Sequence, residues 1–203
     1  MTRKMTRRDF AAMAASSLLA MTMLGRPAAA AISPSDAQGL VQALVDDIFR
    51  VIESGRSESA ILKDFDGLFA KYADVEIIAR QVLGADSRRA TPAQMRAFTD
   101  AFRGYIARKY GKRFREFIGG RIDVQSAAKV KSFHEVRTMA HLKGEAPFEV
   151  KFLVSDKSGR PRFFNMLIEG VNLMLTETAE IGARLDQRRG DIDALIRDLR
   201  TMG

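Results

Sequence analysis

Apolar residues recur along this chain at two spacings, near 3.6 up to the glycines at 119 and 120 and near 2 after them. The stretch SPSDAQGLVQALVDDIFRVIES, 33–54, opens with Ser33 as a helix cap, Pro34 at the first helical position and Asp36 completing a capping box. Leu40, Val41, Leu44, Val45, Ile48, Phe49 and Ile52 then share one helical face, and SGRS at 54–57 breaks it. A second helix carries Ile61, Leu62, Phe65, Leu68, Phe69 and Tyr72, and Asp74 caps a short third through Val75, Ile78 and Val82 to Gly84. TPAQ at 91–94 starts a long helix: Thr91 caps it and Gln94 closes the box. Met95, Phe98, Phe102, Tyr105, Ile106, Phe114 and Phe117 mark its apolar side as far as Gly119.

In FEVKFLV, 148–154, the residues Phe148, Val150, Phe152 and Val154 fall on one face of a strand, and VRTMAHL at 136–142 alternates similarly. SDKSGRP at 155–161 reads as a hairpin connection into FFNMLIEGVNLML, 163–175. That run alternates to Ile168, turns at Glu169 and Gly170, and resumes apolar; at 13 residues with four polar or glycine interruptions it is too short for the roughly 20 apolar residues of a membrane span. One helix around Ile181 and Leu185, and another capped by Asp191 with Ile192, Leu195, Ile196 and Leu199 inward, close the chain. Helices first and an antiparallel sheet later predict an α+β fold.

The amino terminus changes the charge picture. A basic head with Arg3, Lys4, Arg7 and Arg8, an apolar segment from Ala11 to Leu24 and alanines at 28–31 have the three parts of an export signal, and the paired arginines suit a twin-arginine route. Ala11 and Ala12 depart from that pattern, which leaves the general secretory route open. Residues 1–30 are expected to be cleaved and 31–203 to form a single domain. Without 1–30 the counts fall to 28 basic and 24 acidic residues, so the net charge drops from +8 to about +4 and a nucleic-acid partner loses its support. The chain has no cysteine, hence no disulfide or thiolate metal site.

Catalytic signatures are missing: there is no G-x-S-x-G, P-loop or H-E-x-x-H. His134 and His141, seven apart, fall on opposite faces of any strand that holds both, and metal or catalytic residues are assigned nowhere. RKYGKRFRE at 108–116 sets Arg108, Lys112 and Arg115 along one side of the long helix and Lys109 and Arg113 along the next. These are either solvated surface or contacts for anionic headgroups or an acidic partner, with Arg108, Lys109, Lys112 and Arg113 as the candidates. Gly111 within that helix costs about 1 kcal/mol relative to alanine, which points to a kink or close packing.

Three stretches together resemble the MlaC family of periplasmic phospholipid-shuttle proteins, also known as toluene-tolerance auxiliary proteins, with hopanoid-associated relatives. ARQVLGADSRRATPAQMRAFTDAFRGYIARKY at 79–110 is similar to the family's R-x-V-L-G, A-T-x-x-Q and F-x-x-x-F-x-x-x-L-x-x-x-Y; FFNMLIEGVNLML is similar to Y-D-V-x-I-E-G-V-S-L-V; GDIDALIRDLRTM is similar to its G-x-D-x-L-I-x-x-L terminus. The chain departs from the pattern with Asn165 for Asp, Asn172 for Ser and Pro161 for Trp, and it reads TETAEI where the family has N-Y-R-x-x-F.

The resemblance implies a cone-like fold in which a strongly bent antiparallel sheet and helices enclose acyl chains. It implies a monomeric periplasmic carrier, with no cofactor beyond a phospholipid or hopanoid-like cargo, between an outer-membrane lipoprotein complex and an inner-membrane ABC transporter. On inward faces of the long helix and the two best strands, Phe102, Tyr105, Ile106, Val150, Phe152, Phe164, Met166 and Ile168 are the expected lipid-binding wall. An isomerase- or hydrolase-like enzyme in the same kind of pocket, and a structural adaptor, are the alternatives; Asn165 cannot serve as a general base.

Overall fold

The computed structural model describes residues 32–203, without the side chains of Phe114 and Arg115; the proposed export segment 1–30 lies outside the described residues. Helices α1 (Pro34–Ile52), α2 (Glu58–Tyr72), α3 (Val75–Leu83) and α4 (Pro92–Gly111) come first. Strands β1 (Arg121–Val130), β2 (Phe133–His141), β3 (Phe148–Ser155), β4 (Arg162–Ile168) and the two-residue β5 (Val171–Asn172) follow, then α5 (Leu173–Gln187) and α6 (Ile192–Leu199). The strands form an antiparallel meander in sequence order, and the sheet is open. The α+β expectation therefore holds.

Local chemistry places the helix starts. Ser33 and Thr91 both make the full capping box, with Asp36 and Gln94 returning the bond, and Pro occupies the first turn of α1 and α4. Ser57, Asp74 and Asp191 cap α2, α3 and α6. The long helix is shorter than its apolar spacing predicts: α4 ends at Gly111 and a 3₁₀ segment carries the chain from Lys112 to Phe117. Gly111 is buried where a Cβ would stand 2.6 Å from Leu62 Cδ2, so the glycine lets α4 approach α2 closely.

Side chains from one face of the sheet and from all six helices make one continuous core. Val136, Thr138 and Ala140 of β2 and Val150, Phe152 and Val154 of β3 are buried on that face. Helix α1 lies over β1, β2 and β3, α3 and α5 cover β4, and α4 packs chiefly on α2, α3 and α6.

Candidate functional site

The row of apolar residues along β3 and β4 runs from the core to the surface. Val150 pairs with Ile168 and Phe152 with Met166, so each pair shares a face; Val150 and Phe152 are buried while Met166 and Ile168 are half-buried. Ile168 in turn pairs with Val171 of β5, which is 57% exposed, and Leu175 in the first turn of α5 is 66% exposed. Apolar surface thus continues from the interior across Ile168 to the rim of the sheet.

A bulge changes which phenylalanine of β4 faces the core. The register shifts between Leu153 and Val154, and Val154 pairs with Phe163. Phe163 is buried, edge-on to Phe152 at 5.8 Å and tilted against Phe69 at 6.1 Å. Phe164 remains half-buried with its ring edge-on to Phe133. Strict alternation assigns the inward position to Phe164; the extra residue in β4 hands it to Phe163.

From α4, Phe102 and Tyr105 are fully buried and Ile106 is half-buried against the core. Phe102 stacks on Phe98 at 5.9 Å and meets Tyr105 at 6.2 Å. They share the core with the strand row, but the main packing partners of their helix are other helices rather than β3 and β4.

Of the four basic candidates at the end of α4 and in the 3₁₀ segment after it, Arg108, Lys109 and Lys112 have partners within the chain. Arg108 donates from Nε to the Met202 carbonyl at 2.7 Å and from Nη2 to the Leu199 carbonyl at 2.5 Å, tying α4 to the end of α6. Lys112 reaches the Gly203 carbonyl oxygen at 3.3 Å. Lys109 donates to Glu177 at 2.7 Å and Glu180 at 2.5 Å on α5. Reading Arg108 and Lys109 as solvent-facing surface is therefore corrected: their partners lie far along the chain, where helical spacing gives no signal. Arg113 is exposed.

Glu177 is only 3% exposed. Its Oε1 also accepts from the Tyr110 hydroxyl, while Tyr105 donates to Glu180 at 2.7 Å, so two tyrosines, a lysine and two carboxylates lock α4 to α5. Burial and then the Glu180 hydrogen bond push the Tyr105 phenol well above its ordinary range, and burial with Glu177 does the same to Tyr110. Burial works against the charge on Lys109, but hydrogen bonds to Glu177 and Glu180 outweigh it and raise its pKa; the Lys109 hydrogen bond holds Glu180 low. The two glutamates belong to TETAEI, the segment that departs from the family-like pattern.

The two asparagine departures touch each other. Asn165 Nδ2 donates to Asn172 Oδ1 at 2.9 Å, Asn165 Oδ1 accepts from the Met174 amide at 3.2 Å, and Asn172 Oδ1 caps α5 through the Leu175 amide at 3.2 Å. Both amides are spent on joining β4 to α5. The histidines lie on opposite faces of β2 as expected: His141 Nε2 is 3.0 Å from Asp123 Oδ2 on one, and His134 is buried on the other.

A shallow hollow of about 470 Å³ beside α4 and the end of α6 is bordered by Arg96, Asp100, Arg108 and Arg200. That charged border does not suit an acyl chain. Among the described residues no group of three or more His, Asp or Glu side chains is placed to hold a metal ion.

Comparison with known proteins places this architecture. A family model described as "MlaC protein" matches residues 42–201. The fold matches that of a phospholipid-binding protein from Ralstonia solanacearum, solved in complex with a phospholipid, with a TM-score of 0.71 over 81% of this chain and 94% of that one. The two sequences are 20% identical, so this likeness speaks to the fold.

Proposed function

The chain belongs to the MlaC family, and from that premise we propose that it is a periplasmic lipid-binding carrier, the soluble component of an ABC-type system that moves phospholipid or a hopanoid-like lipid between the outer and inner membranes. The match to the family over 42–201, nearly all of the described fold, carries this reading. The phospholipid seen in the Ralstonia protein of the same fold supports lipid as the cargo. Among the described residues no helix is long and apolar enough to cross a membrane, in keeping with a protein that meets membranes from outside.

Each methylene withdrawn from water contributes about 0.8 kcal/mol, so an acyl chain crosses an aqueous compartment only inside an apolar enclosure. The enclosure we propose opens along the β3–β4 row. Val150 and Phe152 form its floor, Met166, Ile168 and Met174 its yielding side, and Val171 and Leu175 its mouth. Methionine suits a surface that must close on itself when empty and move aside for a chain, because three rotatable bonds let it repack. Phe102, Tyr105, Ile106 and Phe164 border the same core and would complete the wall. Arg113 is left to meet a headgroup or an acidic partner, since Arg108, Lys109 and Lys112 have partners inside the chain.

Binding and release, rather than bond making, are the chemistry proposed, with an outer-membrane lipoprotein complex and an inner-membrane ABC transporter as donor and acceptor. Native mass spectrometry with lipid extraction of the protein purified from its own periplasm tests the reading. A bound lipid in stoichiometric amount is expected; protein that is consistently lipid-free would overturn it.

A further inference from the structure

At the end of the sheet where β2 begins, a second hollow, of about 150 Å³, is lined by Lys129, Lys131, Ser132, His134, Ser155 and Asp156, with Ile32 closing it. Three separate segments meet there: the β1–β2 hairpin, the end of β3 and the entry to α1. It is small beside the roughly 300–1,000 Å³ of sites that take drug-sized organic ligands, so it suits a compact group.

His134 is the unusual member. It is 96% buried by its 4% exposure, it lines the hollow, and neither ring nitrogen has a hydrogen-bond partner among the described residues. A buried imidazole left without partners has lost its hydrogen bonds to water and regained none, so a group that satisfies it is favoured. A neutral imidazole still offers one N–H donor. Around it stand two ammonium groups and two hydroxyls against one carboxylate, and Asp156 already accepts from the Ile32 amide at 3.3 Å. Asp36, whose charge also reaches His134, is occupied in capping α1 through Ser33.

Lys131 has φ 54, the left-handed region that a lysine visits at a cost, in a two-residue turn between the paired residues Val130 and Phe133. A glycine or asparagine would be easier there, yet the chain carries a cation.

We propose that this hollow is a binding site for a phosphate-type oxyanion, held by Lys129, Lys131 and Ser132 from the hairpin and by the His134 imidazole from beneath. The anion is either free phosphate or the phosphate of a lipid headgroup. The site stands apart from the acyl wall on β3 and β4 and does not depend on the carrier reading.

The chain has two histidines, so imidazole resonances report the site directly, with His141 at the far end of β2 as an internal control. Inorganic phosphate is titrated first, then dihexanoylphosphatidylglycerol below its micelle concentration. A saturable shift at His134 with phosphate, absent at His141, supports a free-anion site; a shift with the short-chain lipid alone supports a headgroup site. Lys131→Gly removes the charge while relaxing the left-handed turn, so it keeps the fold, and Lys129→Gln is a surface change; each is expected to weaken the response about tenfold. No response at His134 to either probe, or a response that both variants leave unchanged, overturns the site. Lipid extraction on the same sample keeps the two readings separate, because protein that carries lipid while His134 stays silent loses only this proposal.

Discussion

Asn165 and Asn172 both stand where the resemblance leads one to expect other residues, and they are bonded to each other. The pair works because an amide donates on one side and accepts on the other. Asn165→Asp keeps the acceptor for the Met174 amide but turns a carboxylate oxygen toward Asn172 Oδ1, so a loss of about 1–2 kcal/mol is expected at neutral pH. Asn172→Ser supplies a hydroxyl that can donate to the new carboxylate and still cap α5. The double variant, which restores the family-like pair, should recover most of the loss in urea unfolding. Additive losses would show that the contact is incidental. Glu177 makes a second residue-scale case, because its carboxylate is buried and leans on Lys109, whose side chain is 26% exposed. Lys109→Met strands that charge and should cost about 2–4 kcal/mol, slightly under the value for a fully buried pair, whereas Glu177→Gln keeps an acceptor for Tyr110 and should cost clearly less. Equal shifts of the urea midpoint in the two variants would refute the asymmetry.

Between elements, the contact of α1 with α2 has a pH signature. Asp47 on α1 accepts from Lys71 Nζ at 2.9 Å and from the Tyr72 hydroxyl at 2.6 Å, and these bonds bring its pKa from 3.8 to about 2. A carboxyl whose pKa is lowered on folding favours the folded state fully above its unfolded value and loses that contribution as pH falls through its folded value. The difference in melting temperature between wild type and Asp47→Asn should therefore be constant above about pH 4 and close by about pH 2. A difference that persists unchanged at pH 2 would place the link elsewhere. Helix starts were legible in the sequence because capping joins residues three apart: Ser33, Asp74, Thr91 and Asp191 all cap where the pattern says. Gly111 was legible as a kink or a close contact, but that the helix ends there, against Leu62 of another helix, was not. Neither was Phe163, because a bulge resets the parity on which alternation depends, and β1 blurs its own period with a register shift between Val124 and Ser126. The roles of Arg108 and Lys109 were hidden, because a polar helix face reads as solvated until the partner 68 to 94 residues away is known.

The proposed carrier would have to be stable as a whole yet open along one seam, and the exposure of the apolar residues bears on where that seam would lie. Phe163 touches Phe69 of α2 and Phe152 of β3 and is buried, so it belongs to the packed core. Val171 and Leu175 sit at the rim with more than half of their surface in water, where they stabilise the fold little. That exposure is what makes them the proposed mouth. Phe163→Ala should cost about 3–5 kcal/mol in unfolding free energy, the usual result of emptying an aromatic site. Changing Val171 and Leu175 together to lysine should move stability by no more than about 0.5 kcal/mol, as exposed substitutions generally do. The same double change sets two charges at the proposed mouth, so transfer of a fluorescent phospholipid from vesicles to the protein should slow by at least about tenfold, equivalent to about 1.4 kcal/mol on the barrier. Normal transfer in the lysine variant would remove the β4–β5 rim as the route of entry, even if the protein still carried lipid. Slow transfer with an unchanged unfolding curve would separate the seam that opens from the core that holds.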